Sequence, residues 1–241
     1  MKIALTGKGG SGKTTIAAHL GRVLSESGNS VLLVDADASR NLATLLAHED
    51  TTPINEMKDV VNQRARIEGG LVNLNPYVRD LIDKYAVDVS QNLRLLVIGG
   101  VEKAGMGCLC PENSMLRSLL RELVLKRDEI VIIDMEAGLE IMGRGTVKNV
   151  DTILVIAEPG YGSISVTKEI LKFAKEMGVE ARVVANKVRN KSDEKYLSEY
   201  FGPMQTIPAD EGVRESSIKG QLLSEGDFYD SIVKLSKKIT R

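Results

Sequence analysis

The sequence predicts an α/β fold: a single domain built on a mainly parallel, doubly wound sheet of about seven strands. Three observations predict it. Short apolar runs alternate with helical patterns along the whole chain, the signature of βαβ units. Several of those runs are apolar throughout rather than at every second residue, as strands covered on both faces are. At 241 residues, with 43% hydrophobic and 27% charged side chains, the chain has an ordinary globular composition and the length to bury one large core.

The strands expected in order are KIALT (2–6), VLLVD (31–35), LRLLVIG (93–99), IVIID (130–134), TILVIA (152–157), RVVAN (182–186) and MQTI (204–207). Helical spacing places helices near 13–27, 54–66, 77–86, 112–127, 162–177, 193–201, 210–219 and 224–239. The stretch 38–92 is long for one crossover and carries EGG and NP turn signals. It reads as an elaborated insertion within a domain spanning 1–241.

Charge and cysteine content narrow the function. Net charge is −1, so no basic excess calls for nucleic acid or an anionic membrane. No apolar run approaches the roughly 18 residues of a membrane span. Two cysteines exclude a disulfide framework, and a reducing, cytoplasmic setting is expected.

Residues 7–14 read GKGGSGKT, which fits the phosphate-binding pattern G-x-x-x-x-G-K-[ST]. A strand pattern precedes it and the helical TTIAAHLGRVL follows. Glycines 7, 9, 10 and 12 let backbone N–H groups close around phosphate oxygens, with Ser11 among them. The helix N-terminus adds partial positive charge, and Thr15 lies in its first turn. Lys13 is expected to reach the β- and γ-phosphates of a nucleotide and Thr14 to ligate Mg²⁺. Asp134 closes EIVIID, an apolar strand ending in a carboxylate that can hold Mg²⁺ through its water. Asp37, in VDADASRNL, lies just past another strand end. Both belong at the carboxyl edge of the sheet, where ligands bind in open α/β folds.

Base choice is partly legible in NKVR (186–189). A guanine reader needs an acceptor at the fourth position, and Arg189 has none. ATP or ADP is therefore expected, with Asn186 free to bond an adenine edge and Lys187 beside it. The IPAD stretch would pass Ile207, Pro208 and Asp210 near the base.

Ordinary P-loops carry one lysine; KGGSGKT carries Lys8 as well. With VDADASRNL, IIDMEAGLE and VANKV, this resembles the deviant Walker A ATPases over nearly the whole chain. Those include the nitrogenase iron protein, the MinD and ParA positioning ATPases, and the CooC nickel-insertion ATPases of carbon monoxide dehydrogenase. The resemblance implies that Lys8 reaches across a homodimer to the partner's nucleotide. It also implies that Asp37 orients the attacking water, and that slow Mg²⁺-dependent ATP hydrolysis times a face-to-face dimer. GCLCPE, DMEAGLEIMGRGT and IEGGLVNLNPYV resemble CooC segments in particular, which implies carbon monoxide dehydrogenase or a related nickel enzyme as client.

The only cysteines, Cys108 and Cys110, stand one residue apart in AGMGCLCPENS. Two thiols suit a soft metal such as Ni²⁺ or Zn²⁺ but supply half of a four-ligand shell. His19 and His48 fall in helical patterns elsewhere. Two copies of the pair on a dimer axis would complete four sulfurs. Pro111 suits the first helical position, which would put Cys110 at a helix N-terminus and favour its thiolate. Two small buried hydrophobes, a redox pair and a shared iron–sulfur cluster remain open, the last in the manner of the nitrogenase iron protein. A positioning ATPase without metal is a further alternative. Its test is whether Phe228, Ile232, Leu235 and Ile239 form the apolar face of a membrane-surface helix or pack on the sheet.

Overall fold

The computed structural model describes residues 1–67, 69, 71–99, 111–126, 128–135 and 144–240. Cys108 and Cys110 lie outside the described residues. The strands are β1 (Lys2–Thr6), β2 (Val31–Ala36), β3 (Val87–Ser90), β4 (Leu93–Val97), β5 (Ile130–Met135), β6 (Thr152–Ala157), β7 (Ala181–Val188) and β8 (Gln205–Pro208). The helices are α1 (Lys13–Glu26), α2 (Asn41–Leu45), α3 (Lys58–Ala65), α4 (Arg79–Tyr85), α5 (Pro111–Lys126), α6 (Arg144–Val147), α7 (Tyr161–Met177), α8 (Lys191–Phe201), α9 (Glu211–Ile218) and α10 (Asp227–Ile239). A 3₁₀ turn, Ile54–Glu56, precedes α3.

Among the described residues, eight strands join one sheet in the order β3-β4-β2-β5-β1-β6-β7-β8. Every pairing is parallel except β3 with β4. The sheet thus has one strand more than the expected seven. Val87–Ser90 is short and alternates half-buried with exposed residues, and its antiparallel edge position is set by tertiary pairing. The first expected helix of the insertion is split into the 3₁₀ turn and α3, and His48 lies in the turn past α2 rather than in a helix.

Both sheet faces are buried, which explains the continuous apolar strands: β1, β2, β5 and β6 have no exposed residue. One core joins alternate strand residues to α3, α4, α5 and the end of α7. Met115, Leu116, Leu119, Leu120 and Leu123 of α5 recur at helical spacing and are fully buried there. The 38–92 insertion contributes Ile54, Val61, Ala65, Leu81 and Ile82 to this core, so it packs as part of the same layer.

The other face carries α1, α2 and α10. His19 of α1 is 1% exposed. Its Nδ1 lies 2.7 Å from the Thr15 carbonyl oxygen, and the Leu223 N–H reaches Nε2 at 3.0 Å. A carbonyl only accepts and an amide only donates, so the ring is held as the neutral Nδ1–H form. Burial pushes its pKa down in the same direction. The histidine therefore ties the chain after α9 to the helix behind the phosphate loop.

The apolar stripe of α10 is spent on the core: Phe228, Ile232, Leu235 and Ile239 are 2%, 0%, 3% and 8% exposed. Among the described residues no helix is long and apolar enough to cross a membrane. Ile232→Ala should lower the unfolding free energy by about 2–4 kcal/mol in urea titration, with the slope unchanged. A membrane-facing residue would leave the midpoint in place.

Candidate nucleotide site

The chain leaves β1 at the switch point of the sheet, with β5 on one side and β6 on the other. Three positions of the following loop carry positive φ: Gly7 (148°), Gly10 (80°) and Gly12 (95°). At two of them a side chain is also excluded by space. A Cβ on Gly7 would overlap the Ile156 carbonyl oxygen of β6, and one on Gly12 would overlap the Asn186 amide of β7. The loop is thereby pressed between two strand ends, and α1 starts at Lys13 directly after it.

Lys13 is 7% exposed, and its ammonium donates to the carbonyls of Gly7 (3.1 Å) and Lys8 (3.3 Å) in the loop. The Thr14 hydroxyl donates to Asp134 Oδ2 at 2.6 Å. Asp134 is 1% exposed, and its other oxygen is buried with no hydrogen-bond partner among the described residues. A charged oxygen left this way beside a helix N-terminus fits a small hard cation, and the donor set of hydroxyl and carboxylate oxygens suits Mg²⁺.

A second carboxylate lies alongside. Asp35 of β2 is in register with Asp134 of β5 and is fully buried. It accepts from the backbone of Asp37 (3.2 Å) and of Ala43 (2.9 Å), so it organises the turn that presents Asp37. Asp37 itself is half-buried and accepts from the Ser39 N–H at 2.7 Å. The sequence reading passed over Asp35. Its signal was an apolar strand ending in Asp, the same pattern that marked Asp134.

The open cleft beside these groups has a volume of ≈ 1130 Å³. Gly9, Gly10, Gly12, Lys13, Thr14, Thr15, Asp37 and Lys187 line it on the loop side. It is also lined by Thr44, Leu45, Ala47 and Glu49 and by residues 217–220, with Ile218 78% exposed. Ser11 is buried and Lys8 stands outside the cleft wall.

The structure does not gather all the base-side residues of the sequence reading. Asn186 is buried, and its amide donates to the Ser11 carbonyl at 2.8 Å, bracing the phosphate loop. Ile207 is fully buried in the α10 core, Pro208 closes β8, and Asp210 caps α9 by accepting from the Gly212 N–H at 2.8 Å. None of these four lines the cleft. An apolar strand end looks alike in sequence whether it faces a ligand or a core.

Burial dominates the electrostatics of the carboxylate pair. It raises the Asp134 pKa to about 7, with the Asp35 charge adding to it and the Thr14 hydroxyl and Lys13 opposing. It raises Asp35 to about 6, against the backbone N–H groups of Ala43, Asp37 and Leu42. Because the folded values lie above the ordinary 3.8, the folded state binds more protons than the unfolded chain between about pH 4 and 7. Metal-free stability should therefore fall as pH rises through that window. Asp134→Asn keeps an oxygen for Thr14 and removes the charge. In chelator, wild type should lose up to about 1.4 kcal/mol per pH unit relative to this variant across that interval, read by urea unfolding. Parallel pH profiles would contradict the assignment.

The comparisons agree with this geometry. The CobQ/CobB/MinD/ParA nucleotide binding domain family matches residues 2–223. An uncharacterised ATP-binding protein of Methanocaldococcus jannaschii is 40% identical over 92% of this chain and 90% of its own length. The carbon monoxide dehydrogenase accessory protein CooC of Rhodospirillum rubrum is 37% identical over 91% of this chain and 88% of its own. Among solved structures, the septum site-determining protein MinD of Pyrococcus horikoshii, complexed with Mg-ADP, superposes with a TM-score of 0.68 at 19% identity. That match covers 99% of this chain and 95% of the other. The fold, the two-lysine phosphate loop and these matches together place the chain in the CobQ/CobB/MinD/ParA family of P-loop nucleotide-binding ATPase domains.

Proposed function

We propose that the chain is a slow Mg²⁺-dependent ATPase that works as a dimerising metallochaperone, holding Ni²⁺ for a carbon monoxide dehydrogenase or a related nickel enzyme. The observation that carries the ATPase reading is the juxtaposition of Lys13 and Thr14, which line one cleft, with the buried Asp134 carboxylate that accepts from the Thr14 hydroxyl. In this reading Lys13 turns from its loop carbonyls to the phosphates. Thr14 and Asp134 hold Mg²⁺, which would neutralise phosphate charge during transfer. Asp37, presented by the Asp35 turn, orients the attacking water. Lys187 and residues 217–220 flank the base, while Asn186 braces the phosphate loop and Asp210 caps the helix that leads to residues 217–220; Ile207 and Pro208 stay on the strand behind it.

Nickel and client rest on the C-x-C pair and on the 37% identity to a protein named as an accessory of carbon monoxide dehydrogenase. Two copies of Cys108 and Cys110 would supply four thiolates on a two-fold axis, and Zn²⁺ would fit the same ligands. Pro111 does begin α5, so Cys110 immediately precedes a helix in the chain. The burial of the α10 stripe leaves that helix no free apolar face for a membrane-bound positioning role.

The test uses single variants of the full chain. Lys13→Ala should abolish nucleotide binding, while Asp37→Ala should bind Mg·ATP and lose at least 10-fold in hydrolysis, a loss on the scale general acid–base groups supply. Wild-type turnover by Asp37→Ala would remove the water-orienting role. Cys108→Ser and Cys110→Ser should each lose Ni²⁺ while binding ATP normally. Absorption near 400 nm in anaerobically purified protein would point instead to an iron–sulfur cluster.

A further inference from the structure

Lys8 is not free in the folded chain; its ammonium shares one carboxylate with a second lysine. Glu158, the residue after β6, places Oε1 3.5 Å from Lys8 Nζ and Oε2 3.1 Å from Lys187 Nζ. The Glu158 side chain is 23% exposed, against 44% and 49% for the two lysines, so the carboxylate is the sheltered member of the trio.

Glu158 is also anchored through its backbone. The Glu158 N–H donates to Ser163 Oγ at 3.0 Å, which closes the corner between β6 and α7. The Lys8 stem crosses the start of α7 at Gly162, where a Cβ would stand 3.4 Å from Lys8 Cε. Lys187 sits in the β7 bulge at φ 58° and also donates to the Gly10 carbonyl of the phosphate loop. A single acidic group thus holds two flexible cations beside a site built for polyphosphate. No sequence motif singled it out.

We infer that Glu158 is a positioning residue for Lys8. It keeps that lysine on its own chain and competes with phosphate for it, and so sets the ATP concentration at which two chains engage. This rests on the dimerising ATPase reading above, with the cross-dimer role that the family resemblance implies for Lys8. Lysine is a hydrated point charge on a flexible stem, well suited to changing partners. A partly exposed ion pair is weak, so the contact biases Lys8 without locking it. Phosphate brings more negative charge than one carboxylate, and Lys8 leaves Glu158 when a better anion is presented.

Two measurements on Glu158→Gln test this, with circular dichroism as the check on folding. In nucleotide-free protein, acetylation of Lys8 by an N-hydroxysuccinimide ester is quantified by peptide mass spectrometry against exposed Lys219. It should run several-fold faster than in wild type. In sedimentation titrations with Mg·ATP, half-dimerisation should occur at about two- to fivefold lower ATP, the range a partly exposed pair supplies, while the ADP affinity moves less than about 1.5-fold. Unchanged labelling together with an unchanged titration would overturn the inference. So would equal tightening of ADP and ATP, which would mean a general change of field rather than release of Lys8. If wild type fails to dimerise with ATP at any concentration, the cross-dimer reading of Lys8 fails, and the labelling arm still decides whether Glu158 holds it.

Discussion

Two carboxylates shut away from water, side by side on adjacent strands, are the constraint on which the rest of this site depends. Asp35 and Asp134 share a register across β2 and β5 and are 0% and 1% exposed. Burying two like charges together is costly, and the fold offsets it with specific partners rather than with solvent. Thr14 comes from the helix after β1, Lys13 stands above, and the Asp37 and Ala43 amides fold back from the turn after β2. Three chain segments are thereby fixed relative to one another. The same contacts hold the first helical turn, the strand-end carboxylate and Asp37 around one cleft. A bound cation would supply counter-charge that lets both carboxylates ionise near neutral pH.

A second layer of charge lies outside that centre. Lys8, Lys187 and Glu158 form a chain of weak, partly exposed contacts on the outer side of the phosphate loop. The inner groups are buried and rigid, as chemistry on a phosphate requires; the outer ones are flexible, as exchange of partners requires. Asn186 and Lys187 are adjacent in β7, yet they fall in different layers. One braces the loop through the Ser11 carbonyl, while the other reaches Glu158 and Gly10 from a strained bulge residue.

Much of this was legible because burial on both sheet faces writes continuous apolar strands, and because glycine is obligatory where Gly7 and Gly12 meet Ile156 and Asn186. The phosphate loop, Asp134 and the packing of α10 follow from residue types and spacing. The edge strand β3 was not legible. Four residues of alternating pattern carry little signal, and the neighbour that makes them a strand is supplied by β4. Asp35 was hidden beside Asp37, since only the fold distinguishes the buried carboxylate from the half-buried one two residues on. Ile207 illustrates the opposite error: an apolar residue at a strand end was assigned to the ligand, and the α10 layer claims it. Glu158 was invisible because its partners, Lys8 and Lys187, lie 150 and 29 residues away.

The proposed coupling of nucleotide and metal through one dimer makes a single strong demand. If four thiolates meet on the axis that ATP assembles, each ligand must tighten the other by the same factor. Native mass spectrometry of the wild-type chain with Mg·ATP and Ni²⁺, alone and together, reads this directly. The expected species with both present is two chains holding two nucleotides and one Ni²⁺, appearing at lower ATP than without metal. A monomer that binds one Ni²⁺ tightly and is indifferent to ATP would contradict the coupling and the shared-thiolate site with it.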